Sequence, residues 1–149
     1  MPLREIALFL KRLLKRREAG LSPTTRLGRL GEDEAARHLK SKGYTILERN
    51  YGTKQGEIDL VAFRDGVLAF VEVRAQTEPS VTDPLETITR RKRRRVIQAA
   101  RAYASQHHLD RQDVSLRFDV IAVLFDEQQH RRRIEHVEDA FQAPAPGLS

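Results

Sequence analysis

The 149-residue chain contains no cysteine, which excludes disulfide frameworks, thiolate metal sites and cysteine nucleophiles at once. Long hydrophobic runs are also missing. Near the start, the longest apolar stretch, Ile6 to Leu10, is too short for a signal-peptide core and far too short to cross a bilayer. The five histidines show no H-x-x-x-H or H-E-x-x-H spacing, and His107-His108 falls at a predicted helix end, so all five read as surface residues. Ser80, Thr82 and Asp83 form a loop without a nucleophile motif, and there is no internal repeat. What remains is one domain with enough hydrophobic content, 40%, for a single core, expected in the cytoplasm.

The net charge of +6 is unevenly placed. Residues 1–29 hold eight bases and two acids, while the other 120 residues hold 19 of each sign. Leu3, Ile6, Leu10, Leu13 and Leu14 recur at helical spacing among the bases, which predicts a basic amphipathic helix. Such an arm suits an acidic membrane surface, nucleic-acid phosphates, or docking of its apolar stripe on the body of the protein or another subunit. Gly20, Ser22, Pro23 and two threonines then read as a linker. The chain divides into an arm and linker over residues 1–25, one domain over 26–143 and a disordered tail over 144–149.

Within the domain the pattern predicts the order α-β-β-β-α-β-β. A helix runs from Leu30 to about Lys42 and stops at Gly43, and strands cover Tyr44 to Asn50, Glu57 to Phe63 and Val67 to Arg74. Asp65-Gly66 is a tight-hairpin signal. A second helix starts near Thr87 or Thr89 and ends about Gln106, followed by strands over Arg117 to Phe125 and, more weakly, Arg133 to Val137.

Three acids stand where apolar residues are expected. Alternation on the third strand puts Leu68, Phe70, Glu72 and Arg74 on one face, so Glu72 interrupts an apolar row. Asp59 interrupts the partner strand, between Ile58 and Leu60. Two carboxylates converging in an apolar sheet require either a shared proton or a cation, and oxygen-only ligands suit Mg²⁺ or Mn²⁺ better than zinc. The structural alternative pairs Glu72 with Arg74 or another base and leaves Asp59 capping a turn, with no metal. Glu32 shares a helix face with Ala35, Ala36 and Leu39; the alternative is that Glu32, Asp33 and Glu34 simply complement the helix N-terminus.

The second helix opens with six consecutive bases, Arg90, Arg91, Lys92, Arg93, Arg94 and Arg95. Lys92 lies midway between Ile88 and Val96 and so leans inward, whereas Arg91 and Arg94 project outward. The run makes a local positive field suited to phosphates. Asp119 reads as the structural partner of a base, with Arg117 reachable only by diagonal or cross-strand geometry.

The segments GEDEAARHLKSKGYTILERNY, GEIDLVAF, FVEVR, RFDVIAV and EDAF, in that order, resemble the bacterial YraN-like family over residues 29–141. That family looks like a small branch of the restriction-endonuclease-like, PD-(D/E)XK superfamily and is similar to archaeal Holliday-junction resolvases. The resemblance implies an α/β restriction-endonuclease-like core, a mixed β-sheet flanked by helices. It also implies a divalent-metal-dependent endonuclease or phosphodiesterase acting on DNA, branched DNA included, with Mg²⁺ or Mn²⁺ on Asp59, Glu72 and Glu32. Cutting two strands of a junction would favour a homodimer. The chain departs from the family pattern at the E-x-K lysine, where it has Arg74, which stays protonated and is a poor proton acceptor. Either the metal alone activates the water, or Lys92 takes the lysine's part, or catalysis is lost and a nucleic-acid-binding or assembly protein remains.

Overall fold

Pro23 opens the first helix, α1 (Pro23–Ser41), seven residues ahead of the start predicted at Leu30. The computed structural model describes residues 23–79, 82–109 and 114–144, so the amphipathic segment of residues 1–22, Ser80 and the end of the tail lie outside the described residues. Pro23 to Thr25 are therefore helical rather than linker. Proline is tolerated in a first turn because its missing N–H would have no partner there anyway. Leu27 and Leu30 then extend the apolar stripe, packing against the same core as Ala35, Ala36 and Leu39. This displaces Glu32, Asp33 and Glu34 to the middle of α1, and the first turn carries no acid. The helix-dipole explanation for these three residues is thereby removed. At the other end Gly43 adopts a left-handed φ of 89°, and Tyr44 N–H bonds back to Leu39 C=O at 3.0 Å, a Schellman closure.

Five strands follow in one mixed sheet, ordered as in the chain: β1 (Thr45–Gly52), β2 (Glu57–Arg64), β3 (Val67–Thr77), β4 (Ser115–Phe125) and β5 (Arg131–Phe141). Every pairing is antiparallel except β3 with β4, which run parallel. The expected α-β-β-β-α-β-β order holds. Asp65 and Gly66 both take positive φ, as the predicted two-residue hairpin requires. The parallel step is bridged by a short 3-10 turn (Pro84–Thr87) and the second helix, α2 (Arg90–Gln106), whose N-cap Thr89 accepts Lys92 N–H at 3.1 Å. None of the helices among the described residues is long and apolar enough to cross a membrane.

The strict alternation of β3 divides the interior in two. Ala69 and Val71 pack under α1 with Leu60, Ile121 and Val123, while Leu68 and Phe70 pack under α2 with Val96, Tyr103 and Phe118. All five strands exceed their predicted length, β3 and β5 by the most. The end of β3 pairs with β4 alone, and β5 has eleven residues although its polar, largely exposed sequence carries little alternation. An edge strand needs main-chain pairing more than an apolar face.

On the α1 face, Asp119 is fully buried and fully served. Arg117, two residues earlier on the same strand, grips it with Nε to Oδ1 and Nη2 to Oδ2, both at 2.8 Å. His136 Nε2 lies 2.8 Å from Oδ2, and Asp139 N–H donates to Oδ1 at 3.0 Å. Arg117 thus reaches Asp119 directly along its own strand, not only diagonally. His136 has a 1% exposed side chain and His38 is half-buried, which corrects the surface reading of these two histidines. Burial opposes ionisation of Asp119, but the bonds from His136, Arg117 and Asp139 outweigh it and hold its carboxyl below the ordinary range.

Removing one partner of such a network strands the others, so Asp119→Ala should destabilise the fold by about 3–5 kcal/mol in equilibrium denaturation. Because the folded pKa is depressed, the stabilisation from Asp119 is complete above about pH 4 and is lost as pH falls through the folded value. The gap between wild type and variant should therefore narrow in acid.

Candidate functional site

The β2–β3 ladder runs from Arg64 opposite Val67 to Leu60 opposite Val71. At the next step a side chain takes over from the main chain: Asp59 Oδ2 accepts Val73 N–H at 2.8 Å. Here β3 continues with β4, and Glu72 lies between the residues that form this junction.

Glu72 is 2% exposed. Its Oε1 stands 3.4 Å from Lys92 Nζ and 3.6 Å from Arg74 Nη1, while Oε2 has no hydrogen-bond partner among the described residues. Burial first, then the charge and hydrogen bond of Asp59, push its carboxyl up to about 8, against the pull of Lys92 and Arg74. Asp59 is also raised by burial, opposed by Val73 N–H, Glu72 and Lys92. Burial and mutual repulsion therefore favour one proton on the pair over two full negative charges. A divalent cation is the other species that would relieve the same repulsion and serve the orphaned oxygen.

Glu32 reaches this neighbourhood because Gly31 lets α1 lie against β3. A Cβ at Gly31 would come within 2.8 Å of Ala75 Cβ. Glu32 is half-buried, and its carboxyl is raised by that burial and by the charge of Asp59, opposed by Asn50 and Arg49. Among the described residues, however, no three His, Asp or Glu side chains stand close enough to hold a metal ion together. The donor set is thus the Asp59–Glu72 pair, with Glu32 in its electrostatic field. Two carboxylates fit a hard cation that keeps several waters, as Mg²⁺ does, and offer none of the nitrogen or sulfur that zinc prefers.

The bases divide into braced and free. Arg74 donates from Nε to Thr87 Oγ1 at 2.8 Å and from Nη2 to Thr87 C=O at 3.4 Å, which ties it to the turn before α2. Lys92 sits between Glu72 and Glu57, the latter at 3.6 Å. Gly56 fixes that approach: a Cβ there would fall far inside contact with the Arg95 carbonyl, so only glycine lets the β1–β2 turn meet α2. Arg90, Arg91, Arg93, Arg94 and Arg95 are all exposed.

Glu57, Asn50 and Thr87 belong to the site, although the sequence reading does not single them out. Glu57 is discoverable, since period-two spacing puts it on the face of Asp59. Asn50, with its φ of 53°, and Thr87 act through backbone geometry that spacing does not encode.

The fold and site together define a class: an α/β domain in which a five-stranded mixed sheet carries an acid pair, one member buried and one half-buried, where the hairpin separates from the central strand. Residues 31–123 match the model of the "Uncharacterised protein family UPF0102". The chain is similar to UPF0102 proteins of Pelotomaculum thermopropionicum (46% identical, covering 77% of this chain and 94% of that one) and Chlorobium chlorochromatii (43%, covering 79% and 92%). It is also similar to one of Clostridium perfringens (37%, covering 77% and 93%). The chain belongs to the UPF0102 family, which is the YraN-like resemblance expected from its motifs. Glu32, Asp59, Glu72, Arg74 and Lys92 all fall inside the matched segment.

Because Glu72 binds its proton more tightly folded than unfolded, its contribution to stability falls as pH rises from about 4.3 and is fully lost above its folded value of about 8. Glu72→Gln removes that liability. Thermal denaturation at pH 8 should show the variant more stable by about 1 kcal/mol or more, roughly 2 °C upward, with a smaller difference at pH 5.

Proposed function

We propose that this protein is a divalent-metal-dependent phosphodiesterase of the nuclease type, acting on DNA with Mg²⁺ or Mn²⁺. The observation that carries the reading is the buried Glu72 beside the half-buried Asp59, with Glu72 Oε2 lacking a donor and an ammonium group beside Oε1. When bound, the cation would polarise the phosphoryl oxygen and acidify a water.

The chain's own residues supply the rest. Asp59 and Glu72 hold the ion, with Asp59 oriented by Val73 N–H. Glu32, half-buried with a raised pKa, orients water at the edge of the site. Lys92 contacts the scissile phosphate and stands in for the E-x-K lysine. Arg74, braced by Thr87, holds positive charge without exchanging a proton. Arg90, Arg91, Arg93, Arg94 and Arg95 draw the backbone to the helix, so affinity depends strongly on salt and weakly on base sequence. A non-catalytic nucleic-acid-binding protein is the second reading. It is favoured by arginine at the E-x-K position, where Arg74 is committed to Thr87 and β3 carries no lysine.

A cleavage screen over duplex, single-stranded and branched DNA, with Mg²⁺ and Mn²⁺, separates the two. The expected result is metal-dependent cutting that falls at least 100-fold in Asp59→Ala and in Lys92→Met. No cutting of any substrate, or equal cutting by Asp59→Ala, rules out the catalytic reading.

A further inference from the structure

Among the described residues, most of the arginines outside α2 are ion-paired. Arg37, Arg49, Arg64, Arg74, Arg117, Arg131, Arg132 and Arg133 each have a carboxylate within 4 Å. The six arginines of α2 have no ion-pair partner among the described residues. A concentration of unneutralised guanidinium groups is self-repelling unless an anion joins it.

Helical geometry spreads these residues around α2 at about 100° per residue. Lys92 faces the carboxylates, and Arg95 lies on the flank that meets the β1–β2 turn. Arg90, Arg93, Arg94 and Arg101 line an open groove of about 760 Å³ on the other flank, between α2 and the end of β5. Ile97 forms part of its floor, and Gln98 and Gln142 add amides. The Arg93 guanidinium lies 5.7 Å above the Phe141 ring, a cation–π contact that orders it before any ligand arrives.

We propose that this groove is a second tract for nucleic-acid backbone, one that binds phosphates without cutting them, so that the partner is a polymer crossing α2 from groove to carboxylates. The proposal rests on the preceding function for the identity of the polyanion and for backbone contact by Arg90, Arg93 and Arg94; it adds the groove, Arg101 and the path across α2. Arginine forks match phosphate oxygens in a bidentate way that a row of lysines would not. A membrane surface fits less well, because the groove is concave and its apolar floor residue, Ile97, is buried rather than protruding. The helix is about 10–12 Å across and a strand advances about 3.4 Å per nucleotide, so a mononucleotide cannot serve both sides.

The test is fluorescence anisotropy of a labelled 20-base-pair duplex and the matching single strand, titrated with the full-length chain at several salt concentrations. Arg94→Ala/Arg101→Ala should weaken binding at least tenfold and reduce the salt-dependence slope by about two, one for each phosphate no longer neutralised. Arg94→Lys/Arg101→Lys should keep most of that slope. Unchanged affinity and slope in the alanine double variant, with its melting temperature unchanged, would overturn the tract. Tighter binding of wild type to anionic phospholipid vesicles or polyglutamate than to DNA would overturn it as well. Failure of DNA cleavage with the predicted binding intact sinks only the catalytic reading; cleavage with unchanged double-variant binding sinks only the tract.

Discussion

A buried carboxylate, Glu72, beside a half-buried one, Asp59, where β2 leaves β3, sets the terms for the rest of this molecule. Asp59 replaces a main-chain acceptor for Val73 N–H, and Glu72 is enclosed with one oxygen unserved. An arrangement of this kind disfavours folding unless a proton, a cation or nearby bases compensate. The surroundings are organised around that need. Gly31 admits α1 to β3 and brings Glu32 alongside; Gly56 admits the β1–β2 turn to α2 beside the Lys92 that meets Glu72; Thr87 braces Arg74.

The same sheet contains a buried acid with the opposite character. Asp119 receives two bonds from Arg117, one from His136 and one from Asp139 N–H, and its pKa is lowered rather than raised. Both residues are almost wholly enclosed, so burial does not separate them. Satisfaction does. A carboxylate with all its lone pairs engaged holds strands together, whereas one left short of donors stores a preference for a ligand, which is why function is assigned to Glu72 and structure to Asp119.

Much of this is legible in the sequence, and the limits have physical causes. Period two on β3 exposes Glu72 as an intruder, the Asp65-Gly66 turn fixes the hairpin, and helical spacing turns Lys92 inward. Each signal is local and periodic. The start of α1 is obscured because proline and two threonines resemble a linker, although a first turn accepts all three. The length of β5 and the burial of His136 depend on what lies across the sheet, and no single segment encodes that. The groove beside α2 is hidden for a related reason. Six bases in a row look like one block, but winding them into a helix sends Lys92 to the carboxylates and leaves Arg90, Arg93 and Arg94 on the far flank, joined there by Arg101.

The central claim is that the acid pair holds a divalent cation by giving up its shared proton. Calorimetric titration of Mn²⁺ into the protein at pH 7, in two buffers of different ionisation enthalpy, reports binding and proton release together. The account predicts about one Mn²⁺ bound with release of up to one proton, and loss of both signals in Glu72→Gln. Absence of binding to the wild type, or binding of the same strength and proton release in Glu72→Gln, would contradict it.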